Sequence, residues 1–119
     1  MMKDIKEFHE KFGLAYNGRP RDLSKELSDF RVHFMLEELD EYRDSNHLVD
    51  KLDALVDLVY VALGTAYLHG FDFDEAWRRV HEANMKKVRA EVATDSKRGS
   101  TFDVVKPDGW APPDLSDLV

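Results

Sequence analysis

No proline interrupts the chain between Arg21 and His69, and a single glycine, Gly64, stands in that stretch. Breakers gather instead at Gly13, Gly18 and Pro20, at Gly70, and at Gly99, Pro107, Gly109, Pro112 and Pro113. Proline removes a backbone donor and glycine costs chain entropy, so regular structure is confined to the runs between them. Apolar residues in those runs recur at helical spacing, which makes the expected fold all-α. Ile5, Phe8 and Phe12 mark a helix over Asp4 to Phe12, stopped by Gly13. A second, from about Asp22 to Ser45, carries the stripe Leu23, Leu27, Phe30, Phe34. The third, Leu48 to His69, is apolar nearly all the way round and is expected to be buried on most sides. A fourth opens at Asp72, with Glu75 completing a capping box, and its stripe reads Phe73, Trp77, Val80, Val88.

From Thr94 onward the periodicity disappears, and the best strand signal is the short Thr101–Val105. The expectation is one domain over 1–119, a four-helix bundle with an irregular tail at about 94–119. With 119 residues and no cysteine, the core must form without disulfides, and thiolate metal sites are excluded. The amino terminus lacks a continuous apolar stretch, which points to a cytoplasmic chain that engages no membrane. A net charge of −7 argues against a grip on duplex nucleic acid, which needs surplus Lys and Arg. A nucleotide remains an admissible ligand where divalent cations stand between the two sets of negative charge.

The location of the acids matters more than their number. At about 100° per residue, the direction marked by Leu27, Phe30 and Phe34 continues into Glu37, Glu38 and Glu41. On the third helix, Asp53 and Asp57 stand a turn apart on an otherwise apolar element, with Asp50 a turn earlier. Between Glu37 and Asp57 lie eight acids against two bases, Arg43 and Lys51. An unpaired carboxylate in a low-dielectric interior costs several kcal/mol, and two facing clusters add repulsion. A divalent metal resolves the conflict, and oxygen-only ligation selects Mg²⁺ or Mn²⁺ over zinc or copper. The bland alternative is a solvated acidic face, as in a non-catalytic helical protein that docks a basic partner.

The run Glu37-Glu38-Leu39-Asp40-Glu41, followed by Asp53-Ala54-Leu55-Val56-Asp57, resembles the acidic signature of the all-α nucleoside triphosphate pyrophosphohydrolases. That superfamily includes MazG, dimeric dUTPases and phosphoribosyl-ATP pyrophosphohydrolase. The stretch DALVDLVYVALGTAYLHGFDFDEAWRRVHEANMKK and the tail VVKPDGWAPPDL are similar to the phosphoribosyl-ATP pyrophosphohydrolase-like branch, so the resemblance covers Phe34 to Leu115. One departure is the second acidic pair, spaced four apart with Asp at both ends where the usual pattern is ExxD. Both spacings keep the side chains on one helical face.

The resemblance implies Glu38, Glu41 and Asp57 as metal ligands, with Asp53 a further candidate acting directly or through water. It implies that Glu37 serves a second metal or orients the attacking water, and that the general base lies within the set Glu37, Glu38, Glu41. His81, Asn84 and Lys87, on the face marked by Trp77 and Val80, are the implied substrate-binding residues. The implied reaction cleaves a (deoxy)nucleoside triphosphate between the α- and β-phosphates for nucleotide-pool control, with phosphoribosyl-ATP as the alternative substrate. The third helix needs more cover than one such bundle supplies, and the superfamily is dimeric or tetrameric. A homodimer or homotetramer is therefore expected.

Overall fold

The computed structural model describes all 119 residues and is mostly helical. Four helices, α1 (Met2–Lys11), α2 (Lys25–Asp44), α3 (Leu48–His69) and α4 (Phe73–Asn84), precede a short irregular region. That region holds two strands, β1 (Val88–Arg89) and β2 (Val104–Val105). The chain divides into two compact units, Met1–Phe73 with Val119, and Asp74–Leu118.

In the first unit, α1 starts earlier than its apolar spacing suggests, because the Met1 carbonyl already accepts the amides of Asp4 and Ile5. The start of α2 falls at Lys25 rather than near Asp22. Ser24 is the reason: its hydroxyl accepts the Leu27 amide at 3.2 Å, an N-cap that leaves Leu23 outside the helix. The end of α3 is set by Gly70, whose φ of +78° places it in the left-handed region. Its amide and that of Phe71 bond back to Tyr67 and Ala66, a closure that only glycine adopts without strain.

Ile5, Leu63, Tyr67 and Leu68 form the core, with Met2, Tyr16, Leu23, Leu27, Tyr60 and Phe73 packed around them. The loop 13–21 is tied to the end of α3. The Tyr16 amide donates to the Tyr67 hydroxyl at 3.0 Å, and Arg21 donates from Nε to the Leu68 carbonyl at 2.9 Å.

Helices α2 and α3 run antiparallel, since Arg31 meets Val61 and Thr65 while Glu38 meets Asp57. Arg31 is buried, and donates to Thr65 Oγ1 at 3.0 Å and to the Val61 carbonyl at 2.8 Å. Burial without a carboxylate partner lowers its pKa. Gly64 makes room for it: a Cβ there would stand 2.6 Å from Arg31 Nη2 and 3.2 Å from His9 Cε1. Gly64→Ala is therefore expected to destabilise the protein by about 1–3 kcal/mol, as overpacking does, despite alanine's better helix propensity. Thermal melting checks the sign.

The expectation that α3 is buried on most sides holds only for its second half. Ile5 and its neighbours on α1 cover Leu63 and Tyr67, but Leu48, Val49, Leu52, Leu55, Val56 and Val59 stay exposed, Val49 at 77% and Leu52 at 65%. These six occupy an arc of about 120° on one side of the helix. Where α1 stops covering α3, a hollow of about 510 Å³ opens between Met1, Ile5, Leu55, Val56, Val59 and Leu63. By length and composition alone, α3 is also apolar enough to cross a membrane.

In the second unit, α4 ends at Asn84, so Val88 does not continue its apolar stripe and Lys87 does not share its face. The amides of Lys86 and Lys87 close onto Ala83 and Asn84, and the β-branched Val88 pairs in an antiparallel ladder with Val105. Asp103 anchors this ladder by accepting from Arg98 at 2.7 Å and Ser96 at 2.6 Å, which holds its carboxyl down at about 2. Glu75, paired with Arg78 and Arg79 on α4, is likewise held at about 2.

A depressed carboxylate pKa contributes stability that is complete above the unfolded value of about 4 and is lost as pH falls toward the folded one. The protection factor of the Ala90 amide, which bonds the Asp103 carbonyl in the second unit, is expected to fall between about pH 4 and pH 2. Protection unchanged across that window would contradict the assignment.

Candidate metal centre

Glu38 and Glu41 lie one turn apart on α2 and Asp57 lies on the facing turn of α3. The packing of Arg31 against Val61 and Thr65, nearer the start of α2, fixes the register that brings these three together. One carboxylate oxygen from each lies within 4.8 Å of the other two. Glu38 is buried, at 8% exposure, and its Oε2 accepts no hydrogen bond. Burial raises its pKa, and the charges of Glu41, Asp57 and Asp53 raise it further.

Positive charge is what the cluster lacks. Arg43 pairs with Asp40 at 3.3 Å and Asp44 at 3.1 Å. Lys51 donates to the Tyr42 carbonyl and sits 4.8 Å from that ring. Both bases of the acidic segment are thus engaged elsewhere, and Arg31 is spent on neutral acceptors. The residues fit a hard divalent cation: three converging carboxylates, only oxygen donors, and one buried oxygen with an unmet lone pair.

The other expected residues fall outside the convergent set. Asp53 lines an adjoining hollow of about 370 Å³ with Glu41, Asp44, Ser45 and Asp50. Glu37 is exposed, about 100° around α2 from Glu38. His81 and Asn84 are exposed on α4, and Lys87 lies past its end, with Nζ 5.1 Å from the Trp110 ring centre. These three belong to the second unit.

Sequence reasoning passed over Arg31. An arginine on the stripe Leu27, Phe34 was the available signal, since a guanidinium two turns from Glu38 on the same face must either pair with it or be held away.

Residues 5–84 match the family model described as phosphoribosyl-ATP pyrophosphohydrolase. The matched stretch contains every acid of the cluster and ends at the last residue of α4. No curated protein matches the chain.

Proposed function

The chain belongs to the phosphoribosyl-ATP pyrophosphohydrolase family, within the MazG-like nucleotide pyrophosphohydrolases, and from that premise we propose that it cleaves a (deoxy)nucleoside triphosphate between the α- and β-phosphates. The products are a nucleoside monophosphate and pyrophosphate, and the role is control of the nucleotide pool in the cytoplasm. The observation that carries this reading is the buried, donor-free Oε2 of Glu38 beside Glu41 and Asp57.

Glu38, Glu41 and Asp57 would hold Mg²⁺ or Mn²⁺, with Asp53 a further ligand, direct or through water. When bound, the ion supplies positive charge against the triphosphate and lowers the pKa of water. Glu37, outside the convergent set, orients the attacking water or serves a second ion, and the water's proton passes to a carboxylate oxygen within Glu37, Glu38 and Glu41. His81, Asn84 and Lys87 bind the phosphates or the base.

The exposed stripe of α3 is covered by a second copy, giving a homodimer or a homotetramer. A bilayer is the poorer occupant, because Asp53 and Asp57 on the same helix would each cost about 3 kcal/mol at membrane depth.

Hydrolysis of phosphoribosyl-ATP is the second reading, favoured by the description of the matching family model. A panel of ribo- and deoxyribonucleoside triphosphates plus phosphoribosyl-ATP, incubated with Mg²⁺ or Mn²⁺ and assayed for pyrophosphate, separates the two. Release from a triphosphate supports the first reading. Release from phosphoribosyl-ATP only selects the second, and no release from any favours a non-catalytic acidic docking protein.

A further inference from the structure

The second unit carries a cluster that the acidic centre leaves unexplained, and it lies beyond residue 84, outside the stretch matched to the family. Trp110 donates its indole N–H to the Ala83 carbonyl at 2.7 Å, a second bond to the oxygen that accepts the Lys86 amide, and this fixes the plane of the ring. Two ammonium groups sit against that ring, Lys87 Nζ at 5.1 Å and Lys106 Nζ at 5.2 Å from its centre. Lys86 lines a hollow of about 310 Å³ beside the same ring, with Pro107, Asp108, Gly109 and Ala111.

One unpaired ammonium group lines the hollow and two more lie against the ring. Arg78, Arg79 and Arg98 in this unit all pair with carboxylates. Lys86, Lys87 and Lys106 pair with none, as is also true of Arg89, which donates to the Thr101 carbonyl, and of Lys97, in a chain whose acids outnumber its bases by seven. Ammonium groups held by a ring face are held weakly, and an anion outcompetes the ring for them. The turn that carries Trp110 is closed by the Trp110 amide, which bonds the Pro107 carbonyl at 3.0 Å, and Gly109 takes the left-handed conformation at φ +80°.

We propose that Trp110, Lys86, Lys87 and Lys106 form a nucleotide-recognition platform. The lysines take the phosphate chain, the indole takes the base by stacking, and Asp108 accepts from a sugar hydroxyl. A bare anion fits less well, because Asp108 would repel it and the ring would add nothing. Base stacking on an indole tolerates any base, so the platform recognises nucleotides as a class. The proposal deepens the reading of Lys87 as a substrate contact and rests on the proposed function only for the class of ligand.

The test uses the Trp77→Phe protein, in which Trp110 is the sole indole. Its fluorescence is titrated with ATP, GTP, CTP and UTP in EDTA, so that the acidic cluster holds no metal. Quenching by the triphosphates is expected, with affinity at least fivefold weaker in the added Lys86→Ala/Lys106→Ala variant and at least fivefold weaker for inorganic pyrophosphate or adenosine. The absence of quenching, an affinity unchanged by the lysine substitutions, or pyrophosphate binding as tightly as ATP each overturn the platform. Pyrophosphate release by the same protein with Mn²⁺ is measured in parallel. Release without quenching overturns the platform and leaves the proposed hydrolysis standing; quenching without release does the reverse.

Discussion

Glu38→Gln is expected to abolish pyrophosphate release while making the metal-free protein more stable. The two effects share one cause. Glu38 is buried, its Oε2 has no donor, and its charge faces Glu41 and Asp57. Its raised pKa means that, without a cation, the folded state carries this ionised group at a cost at neutral pH. Glutamine keeps the shape, removes the charge, and offers an N–H₂ to the two remaining carboxylates.

The gain is expected to be about 1 kcal/mol or more, which corresponds to a rise in Tm of about 4 °C for a domain of this size. Loss of an outer-sphere partner costs about 10- to 100-fold in metal affinity or activity, so the effect of removing Glu38 from the proposed ligand set is expected to exceed a hundredfold. Addition of Mn²⁺ is expected to raise the Tm of the parent protein and leave that of the variant nearly unchanged. A metal-free variant that melts below the parent would contradict the reading of Glu38 as an unsatisfied buried charge.

If a second copy covers the exposed arc of α3, Leu52→Lys is expected to leave the protein monomeric without unfolding the chain. In the single copy Leu52 is 65% exposed, so the ammonium replaces a side chain that packs on little within its own chain. Its neighbours on the arc, Leu48, Val49, Leu55, Val56 and Val59, continue the side of α3 that α1 covers at Leu63 and Tyr67. If a second copy covers this arc, a lysine at its centre buries charge without a partner and weakens association by at least about a hundredfold. Sedimentation and far-UV circular dichroism together read the outcome. A parent protein that is monomeric at all concentrations would remove the second copy as the occupant of this face.

Much of the fold was written in local signals. Helix α3 was legible from Leu48 to His69 because Gly70 supplies the left-handed closure that a sequence can announce. The start of α2 was less legible, since Asp22 and Ser24 both suit a helix N-terminus and only the backbone decides that Ser24 caps Leu27. Val88 fitted the stripe of α4 by spacing, yet pairs with Val105, a long-range choice that periodicity does not encode. The burial of α3 was overestimated for a related reason: a helical wheel shows which faces are apolar but not which neighbour covers them.

At the site, the wheel placed Glu38 and Glu41 where a core stripe should continue, and they meet Asp57. What the wheel missed was Arg31, whose Nη2 reaches the Val61 carbonyl through space left by Gly64. Nothing local says that a glycine on one helix and an arginine on another belong together.

The claim that this cluster holds the cation on which hydrolysis depends is tested most directly by pyrophosphate release from protein stripped with EDTA. The stripped protein is predicted to release none from any substrate in the panel, and to recover saturably as Mn²⁺ or Mg²⁺ is restored. Glu41→Gln is predicted to stay inactive at every metal concentration. Release by the stripped protein at the full rate, or by Glu41→Gln at the parent rate, would contradict the account.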